Sequence, residues 1–136
     1  MKKLFYHSYS AGAFNLAMLI LRLGFGILMI PKHGWAKLSN FAARKDSFMN
    51  FMGLGSEVSL GLATFAEFFC SVLLILGLFT RLATIPLIIT TLVIMNQHNW
   101  EFFGKHELVP AFLFAYIAIL LLGPGKYSLD ARISRK

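Results

Sequence analysis

Residues 58–79 read VSLGLATFAEFFCSVLLILGLF, an apolar run broken by one ionisable group, Glu67. A hydrocarbon core about 30 Å thick takes roughly 17–25 residues of helix, so this run is long enough to cross a bilayer. Three further stretches fit the same description. Residues 13–30 (AFNLAMLILRLGFGILMI) carry a single charge, Arg22. Residues 82–98 are apolar as far as Met95 and then turn polar with Asn96, Gln97 and His98. Residues 108–123 (LVPAFLFAYIAILLLG) are short but sufficient with Glu107 at the interface. Pro86 and Pro110 fall in the first turns of the third and fourth stretches, where a missing N–H costs little. Pro31 closes the first, and Gly123-Pro124-Gly125 closes the fourth. The pattern predicts an all-α membrane protein, a four-transmembrane-helix bundle forming one integral domain over residues 1–136. A cleavable signal peptide is a poor reading, because no A-x-A-like site follows the first apolar run.

Composition agrees. Of the 136 residues 57% are hydrophobic and 14% charged, against roughly 25% charged in an ordinary soluble domain. Such a chain is too apolar for disorder. Its 13 Lys+Arg against 6 Asp+Glu do not suit a nucleic-acid module either, which needs basic stripes on a polar folded surface. The expected partner is the lipid bilayer. A single cysteine, Cys70, excludes an intrachain disulfide and a cysteine-only metal cage.

Lys and Arg in short loops set membrane orientation. Four spans place both termini on one side together with Lys2, Lys3, Arg81, Lys126, Arg132, Arg135 and Lys136. The opposite side holds Lys32, Lys37, Arg44, Lys45 and Lys105. This bias predicts a multi-pass protein of a cell membrane, the inner membrane of a bacterium, with both termini cytoplasmic. In the connection from Lys32 to Glu57, Phe41, Phe48 and Phe51 or Met52 recur at roughly helical spacing with the charges on another face. That spacing predicts a short interfacial helix between the first and second spans.

Arg22 and Glu67 each fall near the middle of a span, where a charge costs roughly 2.5–3.5 kcal/mol on insertion scales. Adjacent spans run antiparallel, so the two are expected to meet as a buried ion pair. That pair is either a structural fastener or the wall of a polar cavity that holds a ligand or relays protons. His33, His98 and His106 gather at the non-cytoplasmic ends of spans, with Glu57, Glu101 and Glu107 in the same layer. Imidazoles there suit hydrogen bonding to a quinone carbonyl or proton transfer near neutral pH. They are weaker candidates for metal, since none shows the helical His/Glu spacing of a metal motif, and no metal is expected. Arg22, Glu67, His33 and His98 are therefore the candidates for ligand binding or proton relay. Cys70, one turn after Glu67, reads as a buried apolar residue.

Taken together, LILRLGFGILMIPKHGWAKL (residues 19–38), AEFFCSVLLILGLFTRLATIPL (66–87) and LLGPGKYSLDARI (121–133) resemble the DoxX family of small four-helix membrane proteins. The matching positions are Arg22, His33, Gly34, Lys37, Glu67, Gly77, Thr80, Arg81, Gly123, Gly125, Ser128 and Asp130. The resemblance implies a membrane subunit tied to quinone-linked oxidation, to oxidoreductase complexes, or to assembly of other membrane proteins. The paired cysteines of redox-active relatives are missing here, and no haem or flavin motif replaces them. Two functions are carried forward. One is a quinone-interacting, oxidoreductase-associated subunit that depends on a redox partner protein and, if catalytic, works as part of a quinone-linked complex. The other is a non-catalytic scaffold or assembly factor whose Arg–Glu pair is structural. Either is compatible with a homo-oligomer.

Overall fold

A computed structural model describes residue 4 and residues 7–135, and among these it is helical with no strand. Helix α1 (Ala11–Met29) starts on Ser10, whose hydroxyl accepts the Ala13 N–H at 3.1 Å. Pro31 does not end it. The chain passes through a π-helical turn, Ile30–Gly34, into α2 (Trp35–Ser39), so residues 11–39 form one rod of 29 residues. A proline removes one intrahelical donor and crowds the preceding turn. A local widening to π geometry accommodates both. After α3 (Phe41–Arg44), turns run to residue 55, with left-handed backbone at Met52, Gly53 and Gly55. The helical spacing read through Phe48 and Phe51 is therefore not realised: those residues lie in turns outside any helix.

The second rod comprises α4 (Ser56–Thr64), a π-helical segment (Phe65–Cys70) and α5 (Ser71–Leu76), 21 residues in all. Gly77 in left-handed geometry ends it. Helix α6 (Thr80–Gln97) follows, then α7 (Leu108–Leu122) and a short α8 (Leu129–Ser134). Because α6 begins at Thr80, Pro86 sits inside the helix rather than in its first turn. Helix α1 packs on α5 and α7, and α6 packs along α7 and against the second rod. Met18, Met29, Cys70, Leu74, Leu87, Phe112, Tyr116 and Ile119 fill the space between them.

Polarity is inverted relative to a water-soluble bundle. Leu16, Ile20 and Ile27 of α1, Phe65 and Phe69 of the second rod, Ile85 and Ile89 of α6, and Phe114 and Leu121 of α7 all point outward and are exposed. Arg22, Glu67, Ser71, Thr84 and Thr91 are inside. Soluble monomers rarely expose apolar patches beyond a few hundred Å², whereas an apolar exterior is what lipid requires. Ionisable groups in such proteins face the interior. The rods 11–39 and 56–76 are long and apolar enough to cross a membrane, and α7 is a shorter apolar helix.

Candidate functional site

Glu67 lies in the π-helical segment of the second rod and is fully buried. Its neighbour is the corresponding π turn of the first rod. A Cβ placed on Gly34 would come within 2.6 Å of the Glu67 carbonyl oxygen and 2.8 Å of Phe68 Cα, so only glycine permits this approach of the two backbones. One turn beyond Gly34, Lys37 turns inward, and its Nζ lies 2.5 Å from Glu67 Oε2. Lys37 is 15% exposed and Glu67 is 0% exposed. The ammonium thus keeps a path to the surface while the carboxylate has none. The other carboxylate oxygen, Oε1, has no hydrogen-bond partner among the described residues.

A cavity of about 160 Å³ opens beside this pair, lined by Glu67, His33, Thr91, His106, Phe112 and Met29 among others. The His33 ring meets the edge of Phe112, centroids 6.3 Å apart, and Phe112 leans on Tyr116 at 5.8 Å. Tyr116 is fully buried, and its hydroxyl has no partner among the described residues. A buried hydroxyl without a partner costs roughly 1–3 kcal/mol. Two such atoms, Tyr116 Oη and Glu67 Oε1, in one neighbourhood mark a place short of hydrogen-bond partners. Thr91 contributes little polarity, since its hydroxyl is spent on the Leu87 and Ile88 carbonyls. His98 stands one step outside, stacked on His106 with ring centroids 3.6 Å apart.

Arg22 is not part of this site, and the expected Arg22–Glu67 pair does not form. The guanidinium instead donates to the Leu74 and Ile75 carbonyls at 3.4 and 3.3 Å and to the Tyr127 carbonyl. The reason is stagger. The early turns of α1 run past the end of α5 and are covered by the segment after α7, where Lys126 N–H donates to Asn15 Oδ1 at 2.8 Å. Helical side chains also lean toward their own N-terminus, which carries the Arg22 arm further from Glu67. Leu74 lies seven residues along the second rod from Glu67, or about 10 Å at ~1.5 Å per residue.

The residues that carried the resemblance accordingly separate into two groups. His33 and Glu67 line the cavity, while Gly34 and Lys37 hold Glu67 in place through the close backbone approach and the ion pair. Arg22, Gly77, Ser128 and Asp130 build a knot at the opposite end, with Arg81 and Gly123 beside it. There the Asp130 carboxylate accepts the Phe79 and Thr80 N–H groups at 2.7 and 2.9 Å, capping α6, while Asp130 N–H donates to the Gly77 carbonyl at 2.9 Å. A Cβ on Gly77 would strike Arg22 Nη1 and Ser128. Arg22, read above as a ligand-binding candidate, has its Nη1 and Nη2 donors turned to α5 and the chain after α7, while its buried Nε has no partner among the described residues.

Two cavity-side groups were not among the site candidates. Lys37 was counted among the charges of a solvated connection; its legible signal was its place in the Pro-Lys-His-Gly-Trp-Ala-Lys stretch. Tyr116 has a plainer signal, as the lone hydroxyl in the apolar stretch 108–123. Among the described residues no three His, Cys, Asp or Glu side chains gather as metal ligands. Cys70 is buried in the core.

A chain that is helical throughout its described elements, with an apolar outside and buried polar groups, including a carboxylate–ammonium pair, is a membrane protein. More specifically, the chain belongs to the DoxX family: the family model described as DoxX matches residues 17–100. No curated protein and no solved structure matches it.

Proposed function

We propose that the chain is a quinone-interacting subunit associated with a membrane oxidoreductase, built as one domain of four membrane-crossing helices with both termini cytoplasmic. The observation that carries this reading is the unpartnered Glu67 Oε1 at a cavity walled by Phe112 and His33, with the unpartnered Tyr116 hydroxyl on the ring packed against Phe112. A volume of about 160 Å³ is below the ~300–1,000 Å³ of sites that enclose a drug-sized molecule. It suits a single-ring head whose tail remains in lipid. Tyr116 donates its hydroxyl to one quinone carbonyl. Glu67 and His33 are placed to take or supply the proton at the ring oxygen, with His106 and His98 leading away from the cavity. Lys37 pairs with Glu67 Oε2 and leaves Oε1 without a partner among the described residues. Electrons come from a redox partner protein.

The test is binding of a short-tailed quinone to the detergent-purified chain. Saturable binding is expected, weakened about tenfold by Tyr116→Phe, the value of one hydrogen bond. Absence of binding, alone and with a candidate redox partner, counts against it. The scaffold reading draws support from a different observation, the engagement of both Arg22 Nη groups and of the Asp130 carboxylate in packing. It predicts a stable partner in mild-detergent pull-downs and tolerance of His33 and His98 substitutions.

A further inference from the structure

A second cavity lies at the opposite end of the molecule from Glu67. It is a groove of about 400 Å³ between the end of α5 and α8, lined by Leu76, Tyr127, Leu129, Lys126, Arg132 and Arg135 among others. Its chemistry is two-sided. Lys126, Arg132 and Arg135 are exposed, and none is in an ion pair among the described residues. The acid of this segment, Asp130, forms no ion pair with them, and its oxygens accept the first N–H groups of α6. The other wall is apolar. Leu76 is 48% exposed, Tyr127 51% and Leu129 36%. Apolar side chains on one face of a helix with arginines beside them suit the plane where headgroups meet acyl chains.

We propose that this groove binds the headgroup of an anionic phospholipid. The phosphate sits among Lys126, Arg132 and Arg135, and the upper acyl chain lies along Leu76, Tyr127 and Leu129. A free phosphate would use the same cations but leave the apolar wall uncovered, so the lipid is the ligand that matches both walls. The segment from Gly123 to Ser128 is held by Arg22, Asn15 and Gly77. Lipid bound here clamps the same segment from outside and so stabilises the packing of α1 on α5. Binding at this groove stands apart from quinone binding, since it shares no residue with the Glu67 cavity.

The test uses the full chain in detergent, titrated with phosphatidylglycerol, phosphatidylcholine or inorganic phosphate, and read by native mass spectrometry and melting temperature. Phosphatidylglycerol is expected to saturate at one tightly retained molecule per chain and to raise the melting temperature. Arg132→Ala/Arg135→Ala should weaken that binding about thirty-fold, from the contribution of two surface cations, with the lipid-free melting temperature unchanged. Arg44→Ala/Lys45→Ala, which removes the same charge from the far end, should leave it intact. Equal retention of phosphatidylcholine, unaltered binding in the Arg132/Arg135 variant, or equal loss in the Arg44/Lys45 control would overturn the proposal. An equal melting shift with inorganic phosphate would also overturn it, assigning the groove to a soluble anion.

Discussion

The partner of Glu67 is the point at which geometry and first expectation part, and a double-mutant cycle distinguishes them. Lys37→Met would leave a carboxylate with 0% exposure facing no cation. Removing one member of a buried pair costs about 3–5 kcal/mol, most of it the penalty of the stranded charge. Glu67→Gln strands the ammonium instead, but Lys37 retains 15% exposure and a flexible arm that reaches the surface. Its loss should fall at or below the lower end of that range. Lys37→Met/Glu67→Gln strands neither charge and should lose far less than the sum, a coupling of about 2–4 kcal/mol on the same reasoning. Arg22→Met combined with Glu67→Gln should be additive within about 0.5 kcal/mol, as for sites more than ~7–10 Å apart. Reversible unfolding in mixed micelles supplies the free energies. Additive losses at Lys37 and Glu67, or strong coupling between Arg22 and Glu67, would refute the assignment of the ion pair.

Other consequences follow from the packing around each end of the bundle. Gly34→Ala pushes a methyl onto the Glu67 carbonyl and should cost about 1–3 kcal/mol as overpacking does, measured in the same micelle unfolding assay. Asp130→Ala uncaps α6 by freeing the Phe79 and Thr80 N–H groups, an expected loss of about 1–2 kcal/mol. Quinone affinity in that variant should be unchanged, because the knot is distant from the cavity. Arg22→Lys keeps the charge but cannot span the Leu74, Ile75 and Tyr127 carbonyls with one planar fork. It should lower the melting temperature, and a variant as stable as the parent would show that the fork is dispensable.

Much of this molecule can be read without coordinates, and the rest fails for identifiable reasons. Apolar length and isolated charges locate the rods, whose exterior carries Phe114 and Ile89. They also single out Glu67 and His33, which do share a cavity. They mislead over Arg22 because residue counts from the ends of a span assume helices at equal depth. Here α1 is displaced along α5, and the chain around Tyr127 supplies acceptors that no spacing rule could announce. Lys37 was hidden for a related reason. Pro31 looks like a stop, yet a π turn carries the helix through it, and that extra length turns Lys37 inward. The helical spacing read through Phe41, Phe48 and Phe51 extends only over α3, because the chain from residue 45 to 55 is in turns and carries left-handed backbone at Met52, Gly53 and Gly55.

The central claim is that the ligand head sits beside Glu67 and Tyr116, and photo-crosslinking addresses it most directly. The chain in lipid nanodiscs is labelled with a quinone carrying an azide on its ring, then digested and mapped. Adducts are predicted on the peptides containing His33 and Phe112, competed away by excess unmodified quinone and reduced in Tyr116→Phe. Labelling confined to the exterior of the rods, or to the α5–α8 end of the molecule, would contradict the account.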